Sequence, residues 1–312
     1  MIRMPGRSHS EAAPPLTQQE ALLRDSLRRD VEKLAGEIGE RNLARYEALT
    51  ASAAYLEKAL AEAGYAVERN PVEAVTPNGP RLAANLIVEL KGTQRPEEVV
   101  IVGAHYDSRE GTPGADDNAS GTAAVLALAR TLTKATPRRS LRFVLFTNEE
   151  YFRQSLMGSL VYAKLCRARN ENIVAMVSLE TIGHYSDIAG SQRYPFPINL
   201  FYPNTGDFLG FVGNIDSRSL VRTAIGSFRS VATIPSHGVA APESIDGIGW
   251  SDHWSFWQQG YPGIMITDTA PFRNPHYHEP TDTPDTLDYG RLARVVNGVE
   301  AVVRSLAQIC PR

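Results

Sequence analysis

The sequence contains only two cysteines, Cys166 and Cys310, and no CxxC pair among its 312 residues. A disulfide framework or a zinc site built from thiolates is therefore not expected, and both thiols are interpreted as unpaired. Nor does any stretch reach the roughly 20 apolar residues that a membrane-spanning helix requires. The net charge of −3 is also too small to indicate a nucleic-acid or membrane partner.

The beginning of the chain lacks the features of an export signal. Its first residues contain arginines but no apolar stretch that could form the core of a signal peptide. As written, the sequence therefore predicts a cytoplasmic protein, or a periplasmic or secreted one if its true N-terminus is missing. Residues 1–16 are rich in Ser, Pro and Ala, and we expect a disordered arm there. A single domain is expected over residues 17–312.

The remaining chain alternates between two kinds of hydrophobic pattern. Helical periodicity covers residues 17–39, 51–64, 120–134, 251–259 and 289–309. Short β-type runs cover residues 83–90, 98–105, 139–148, 172–181 and 263–267. Because the strands are nearly continuously apolar and a helix lies between two of them, the pattern predicts an α/β domain with helices on both faces of a central sheet. Residues 185–250, rich in Gly, Pro and aromatics, are expected to carry long loops.

Polar residues follow three of these strands at the point where each strand ends. His105 and Asp107 follow the first, Glu149 and Glu150 the second, and Glu180 the third. In such sheets, functional groups gather where strands end and loops begin. Carboxylates that converge at one edge repel each other unless a positive charge lies between them. Two further carboxylates precede the helix at 120–134, namely Asp116 and Asp117.

Several common sites can be excluded from their motifs. Asp116 and the residues after it match the opening of an EF-hand loop, but Ala127 stands where the twelfth-position Glu is required. The segment Gly249-Trp250-Ser251 begins like a nucleophile elbow, but His253 replaces its second glycine. No Walker A or dinucleotide-binding motif occurs.

The groups that remain are imidazoles and carboxylates. Such a set suits zinc, or less often manganese or cobalt, in a hydrolytic site with an open position. A single histidine is insufficient for zinc, so a second should come from a distant segment. His276 and His278 are candidates near the C-terminus, and Asp252 and His253 lie in a further polar segment.

Taken in order, these segments resemble the M28 family of zinc aminopeptidases. The resemblance spans roughly residues 84–290 and is carried by the motifs AHYDS, PGADDNASG, FTNEE, MGS, SLETIG, SDHWSF, GYPGIMITDT and YHEPTDT. It implies the zinc-exopeptidase fold, with a mixed, mostly parallel sheet. It also implies two zinc ions, with cobalt or manganese as possible substitutes, and peptide substrates with a free N-terminus.

The resemblance assigns a role to each candidate residue. Glu149 would be the general base, and Asp107 would lie behind the histidine ligand and fix its tautomer. Asp117 would bridge both ions, and the other ligands would be His105, Glu150, Glu180 and His278. Of the two late histidines, only His278 has the following Asp-Thr at the family's offset. Asp116, Asp252 and His253 would be supporting residues.

Three positions depart from the family's usual pattern. Glu180 stands where Asp is commoner, and seven residues rather than four separate Glu150 from Gly158. Ile248 replaces a tyrosine that often stabilises the oxyanion, and Tyr277 is a nearby candidate for that role. We expect the walls of the substrate pocket to come from residues 194–210 and 264–275, whose composition suits an apolar side chain.

The resemblance is also compatible with a carboxypeptidase or a dipeptidase of the same family, and two further alternatives share it. A single-zinc glutaminyl cyclase has the same fold and most of the ligands, but its bridging-Asp segment usually lacks the DNASG continuation present here. A non-catalytic M28-like binding domain would be expected to have lost ligands or the base, and all of them are present. The sequence gives no indication of the oligomeric state.

Overall fold

A computed structural model describes residues 4–76 and 79–310. The strands are β1 (Glu68–Thr76), β2 (Gly79–Leu90), β3 (Arg95–His105), β4 (Arg139–Phe146), β5 (Asn172–Glu180), β6 (Leu209–Gly213), β7 (Ser236–Ala240) and β8 (Gly263–Thr267). The α-helices are α1 (Gln18–Val31), α2 (Tyr46–Glu62), α3 (Gly121–Leu132), α4 (Gly158–Ala168), α5 (Arg218–Arg229), α6 (His253–Trp257), α7 (Ala270–Arg273) and α8 (Tyr289–Ala307).

The eight strands form one mixed sheet in the order β1-β2-β4-β3-β5-β8-β6-β7. β4, β3, β5 and β8 run parallel to one another, whereas β1, β2 and β6 pair antiparallel with their neighbours on one side or both. The expected α/β fold with a mixed sheet is thereby confirmed. Because the central strands are parallel, His105, Phe146 and Glu180 lie at the same edge of the sheet.

Alternating residues of the central strands face two separate cores. In β3, Val100 and Val102 contribute to a large core that α1, α2, α3, α5 and α8 cover. Val99 and Ile101 contribute instead to a smaller core on the other face, where α4 and α6 lie. The near-continuous apolar runs in the sequence thus reflect burial on both faces.

The region between β5 and α6 contains more regular structure than the sequence indicates. Residues 185–250, expected to be long loops, include β6, α5 and β7, although the segment from Thr181 to Phe208 is almost entirely loop. The two strands have only five residues each. Strands this short have no room for a clear alternating pattern, which explains why the sequence does not reveal them.

Residues 4–16 contain no helix or strand but contact the domain at several points. Arg229 on α5 donates to the carbonyls of Pro5 and Gly6, and the hydroxyl of Ser8 accepts from the backbone of Ser236 at 2.8 Å. This part of the predicted arm therefore lies along the outer strand of the sheet, while residues 1–3 are outside the described part. The domain boundary at residue 16 remains a prediction.

Within residues 4–76 and 79–310, no helix combines the length and the apolar character needed to cross a membrane.

Candidate metal centre

Two groups of ligand atoms lie side by side at the carboxyl edge of the sheet. His105, Asp117 and Glu180 form one group, and Asp117, Glu150 and His278 form the other. Within each group, the ligand atoms all lie within 4.8 Å of one another. The structure thus brings together all five residues that the resemblance implied as ligands.

Asp117 belongs to both groups because its two oxygens face opposite ways. Oδ1 lies 3.2 Å from Nε2 of His105, and Oδ2 lies 3.0 Å from Nε2 of His278. A carboxylate in this position can bind one cation with each oxygen. The geometry therefore suits a pair of metal ions that share Asp117.

Unusual backbone conformations help to direct these side chains. Asn148, directly before Glu149, has φ of 58°, and Thr181, directly after Glu180, has φ of 46°. His278 itself has φ of 60°. Positive φ is strained for residues other than glycine and is found preferentially at functional sites, where surrounding contacts maintain it. The chain therefore turns sharply beside these candidate ligands.

Asp107 connects the first histidine to the two glutamates. Its carboxylate accepts hydrogen bonds from the backbone N–H of Glu149 at 3.1 Å and of Glu150 at 3.2 Å. Nδ1 of His105 lies 3.5 Å from the same carboxylate and 3.2 Å from the backbone oxygen of Asp107. Asp107 is therefore placed to orient the histidine ring and the adjacent glutamates together.

Glu149 belongs to neither ligand group. Its Oε2 lies 3.9 Å from Nε2 of His105, so the carboxylate borders the cluster. Burial raises the pKa of Glu149 well above its usual value, and the nearby Glu180 and Asp252 add to this effect, whereas His105 opposes it. Glu149 thus has the position and environment of a proton acceptor beside a metal site.

The charges at the site favour a bound cation. Burial also raises the pKa of Glu150 well above its usual value, and the charge of Asp117 adds to the effect. Burial acts on Asp117 in the same direction, but hydrogen bonds from His105 and His278 outweigh it and lower the pKa of Asp117. Oε1 of Glu150 is buried without a hydrogen-bond partner among the described residues. Carboxylates crowded in this way gain most from a divalent cation, and the nitrogen and oxygen donors suit zinc.

Two residues without an assigned role in the sequence hold Glu180 in place. Ser251 donates its hydroxyl hydrogen to Oε2 of Glu180 at 2.7 Å, and the amide of Asn118 lies 3.3 Å from the same oxygen. Both residues lie within the motifs noted in the sequence. Their position in those motifs indicated that they lie near the site, but it did not show that they contact Glu180.

A buried arginine from the N-terminal part of the chain supports the loops behind the ligands. Arg41 is fully buried and donates from Nε to the carbonyl of Tyr106 and from Nη2 to that of Gly114, both at 2.7 Å. Its Nη1 donates to the carbonyls of Gly39 and Pro113. The sequence offered no sign of this role, because Arg41 belongs to none of the motifs.

The other candidates take different positions. His276 contacts Thr281 at 2.9 Å and is in neither ligand group. His253 is buried, and its Nε2 lies 2.8 Å from the backbone oxygen of Ile248. The ring of Tyr277 stacks on that of His278, with centroids 3.8 Å apart.

The two predicted supporting carboxylates also lie close to the site. Asp252 is buried, and neither of its carboxylate oxygens has a hydrogen-bond partner among the described residues. Asp116 accepts hydrogen bonds from the amide of Asn274 at 2.8 Å and the backbone of Gly183 at 2.9 Å. Asp116 thereby connects the segment that carries Asp117 to two other loops.

Comparison of the sequence with known families and proteins agrees with this geometry. The sequence pattern of Peptidase family M28 matches residues 85–303. The Escherichia coli K12 protein YfbL, described as uncharacterized, is 36% identical over 286 residues, which cover 88% of this chain and 86% of YfbL. A "Probable zinc metalloprotease" of Pyrenophora teres f. teres is 30% identical over 241 residues, covering 70% of this chain but 48% of the fungal protein. The chain thus spans about half the length of this fungal relative.

Solved structures of proteins with two different activities share this fold. A zinc aminopeptidase from Bacillus subtilis superposes with a TM-score of 0.70 at 15% identity, covering 93% of this chain and 95% of the other. A glutaminyl cyclase from Macrostomum lignano superposes with a TM-score of 0.70 at 19% identity, covering 98% of each chain. At these identities, the superpositions establish the fold and do not distinguish the two activities.

Proposed function

Because the chain belongs to peptidase family M28 and is a zinc-dependent peptidase, we propose that it is an aminopeptidase that uses two zinc ions and Glu149 as the general base. The observation that carries this proposal is the double role of Asp117, whose two oxygens each face a different histidine within hydrogen-bonding distance. A site for one ion would need only one of the two ligand groups.

Different residues would bind the ions and orient the site. His105 and Glu180 would hold one ion, Glu150 and His278 the other, and Asp117 both. When bound, the ions act as Lewis acids that polarise the peptide carbonyl and acidify the attacking water. Asp107 fixes the direction of the His105 ring and of the backbone that carries both glutamates.

Glu149 would transfer the proton during hydrolysis. Its carboxylate takes the proton from the attacking water and passes it to the nitrogen of the leaving amine as the peptide bond breaks. The ring of Tyr277 stacks on His278 and lines the cavity beside Glu180, and we propose that its hydroxyl donates a hydrogen bond to the substrate's carbonyl oxygen.

The glutaminyl cyclase alternative differs in the number of ions. A cyclase with one zinc would leave one of the ligand groups unused, so metal analysis separates the two functions. We expect the purified protein to bind two zinc ions at saturation and Glu180→Ala to bind closer to one. Glu110→Ala, which removes an exposed carboxylate outside both groups, should still bind two. Saturation of the wild-type protein at one zinc would contradict the two-ion site and favour the cyclase.

The peptidase activity itself is tested with blocked and free substrates. A free α-amine would offer a nitrogen donor to the proposed ions, whereas an acetylated nitrogen would not. We therefore expect leucine p-nitroanilide to be cleaved and its N-acetylated form not to be. Dialysis against a chelator should abolish cleavage, and added zinc should restore it. Equal cleavage of both substrates would contradict an aminopeptidase.

A further inference from the structure

A cavity opens beside the Glu180 end of the metal centre. The empty space, including the open mouth towards solvent, measures about 760 Å³. The floor is the face of β8, β6 and β7, and aromatic side chains form much of the walls, among them Tyr194, Tyr202, Phe208 and Phe272. Both predicted wall segments, 194–210 and 264–275, contribute to it.

One row of paired residues crosses the floor of this cavity. Glu180 pairs with Thr267, Thr267 pairs with Gly210, and Gly210 pairs with His237. Residues paired in this way point to the same face of a sheet, and all four line the cavity. Since neighbouring strands are about 4.8 Å apart, the row extends over roughly 14 Å. It leads from a metal ligand at one end to His237 at the other.

Gly210 gives the row a depression between its neighbours. It has no side chain, so the floor is lower between Thr267 and His237. A Cβ at this position would lie 3.2 Å from the carbonyl oxygen of Thr267 and 3.4 Å from Cγ2 of Thr269. A substrate side chain that starts above Thr267, next to Glu180, and follows this depression would end against the His237 ring.

His237 is the polar group at that end with unused hydrogen-bonding capacity. The hydroxyls of Tyr194 and Tyr202 donate, at 2.7 Å each, to the carbonyls of Pro203 and Gly238. The His237 ring makes edge-to-face contacts with Phe208 and Tyr202, at centroid distances of 4.8 and 5.6 Å. None of the residues that the structure describes makes a hydrogen bond to its ring nitrogens.

The surroundings keep His237 neutral and disfavour charged substrates. Burial lowers its pKa to about 4, and the charge of Arg229 contributes in the same direction. Apart from Asp246, most of the side chains at the far end of the cavity are apolar or aromatic, so a lysine or arginine side chain would lose its hydration there. An acidic side chain would lose its hydration among aromatic rings. A neutral imidazole offers one donor and one acceptor.

We propose that this cavity binds the side chain of the substrate's amino-terminal residue and that His237 selects a neutral aromatic side chain with a hydrogen-bonding group at its tip, tyrosine above all. The inference rests on the proposed aminopeptidase activity and specifies its substrate class. Aromatic walls suit the ring, and the part of the row from Thr267 to His237 places the imidazole where the phenol hydroxyl would arrive. Phenylalanine would fill the cavity but leave the imidazole nitrogens unpaired.

The test compares kcat/KM for the p-nitroanilides of tyrosine, phenylalanine, leucine and lysine. Wild-type protein should prefer tyrosine to phenylalanine by about two- to tenfold, the contribution of one neutral hydrogen bond, and should cleave the lysine substrate least. His237→Phe keeps an aromatic ring without hydrogen-bonding groups and should bring the ratio close to one. His237→Gln keeps a donor and an acceptor and should retain part of the preference. Val239 lies on the same strand and face as His237. Val239→Ala should lower kcat/KM for both aromatic substrates by a similar factor and leave the ratio between them unchanged.

Binding of the free amino acids provides a measurement on the wild-type protein alone. By calorimetry with the zinc-loaded protein, L-tyrosine should bind about two- to tenfold more tightly than L-phenylalanine. Equal kcat/KM for the two aromatic substrates, or a ratio that His237→Phe leaves unchanged, would overturn the role of His237. Cleavage of the leucine and phenylalanine substrates would still show an aminopeptidase in that case. Failure to cleave any of the four would instead overturn the proposed function, and this inference with it.

Discussion

Ser251 donates its hydroxyl hydrogen to Oε2 of Glu180 across 2.7 Å, although 71 positions of sequence separate the two residues. Glu180 ends β5, and Ser251 lies just before α6 on the same face of the sheet. Ser178 lies 3.0 Å from Ser251 and completes a chain of buried hydroxyls. Glutamate is one methylene longer than the aspartate that the family more often has here. The serine therefore restrains the side chain of a candidate ligand that has one more rotatable bond than aspartate.

Ser251→Ala should weaken zinc binding at the site that contains Glu180. Loss of a residue that orients a metal ligand typically costs about 10- to 100-fold in metal affinity or activity. Competition with a chromogenic chelator would measure the affinity, with Ser255→Ala as the control. Ser255 is also buried, but its hydroxyl contacts Ser159 and Met157 rather than a ligand. Equal zinc affinity in both variants would show that Ser251 does not position Glu180.

Glu149→Gln should retain both zinc ions and lose most of its activity. The amide cannot accept the proton, so kcat should fall by about 10²- to 10⁴-fold, the usual effect of losing a general base. The adjacent Glu150→Gln provides the comparison, because Glu150 lies in a ligand group and its loss should lower zinc affinity. Metal analysis beside steady-state kinetics distinguishes the two. If Glu149→Gln lost zinc and Glu150→Gln retained it, the two roles would be reversed.

Arg41→Met should strongly destabilise the domain. Burial lowers the pKa of Arg41 to about 10, although the charges of Asp107 and Asp282 oppose this shift. The guanidinium therefore remains charged at neutral pH. Its removal leaves several buried carbonyls without a donor, at about 1–3 kcal/mol for each group that stays unpaired. We expect a loss of about 3 kcal/mol or more in the free energy of unfolding, measured with urea. Arg45→Met is the control, since its side chain is 67% exposed and such surface changes usually stay within about 0.5 kcal/mol.

His253→Gln should make the stability of the protein less sensitive to acid. Burial lowers the pKa of His253 to about 4, from a usual value near 6.5. As the pH falls from 6.5 to 4, the unfolded chain binds a proton that the folded protein does not, so the wild-type free energy of unfolding decreases. The decrease amounts to roughly 3 kcal/mol and is complete below pH 4.

Glutamine keeps a donor for the carbonyl of Ile248 and does not titrate in this range. Urea unfolding of both metal-free proteins at several pH values would therefore show the curves converging or crossing towards pH 4. Other titrating groups are common to the two proteins and contribute equally to both. Parallel curves between pH 6.5 and 4 would show that His253 does not carry this dependence.

The sequence was sufficient to predict the fold class and the proximity of the polar residues at the strand ends. β3, β4 and β5 have apolar runs long enough to identify, and each is followed by polar residues within a few positions. Parallel strands end at one edge of the sheet. The sequence therefore predicted that His105, the glutamate pair and Glu180 lie close together. The resemblance to the M28 family added the roles, including that of the distant His278.

Tertiary structure alone decided the contacts between distant segments. Arg41 lies 65 positions from the carbonyl of Tyr106 to which it donates, and neither residue shows this by its type or spacing. The row from Glu180 to His237 likewise depends on β8, β6 and β7 pairing out of sequence order. Periodicity and propensity describe how one segment folds and which side it buries. The choice of which segments meet follows from burial and hydrogen bonding across the whole domain, and that choice determines the positions of Ser251, Arg41 and His237.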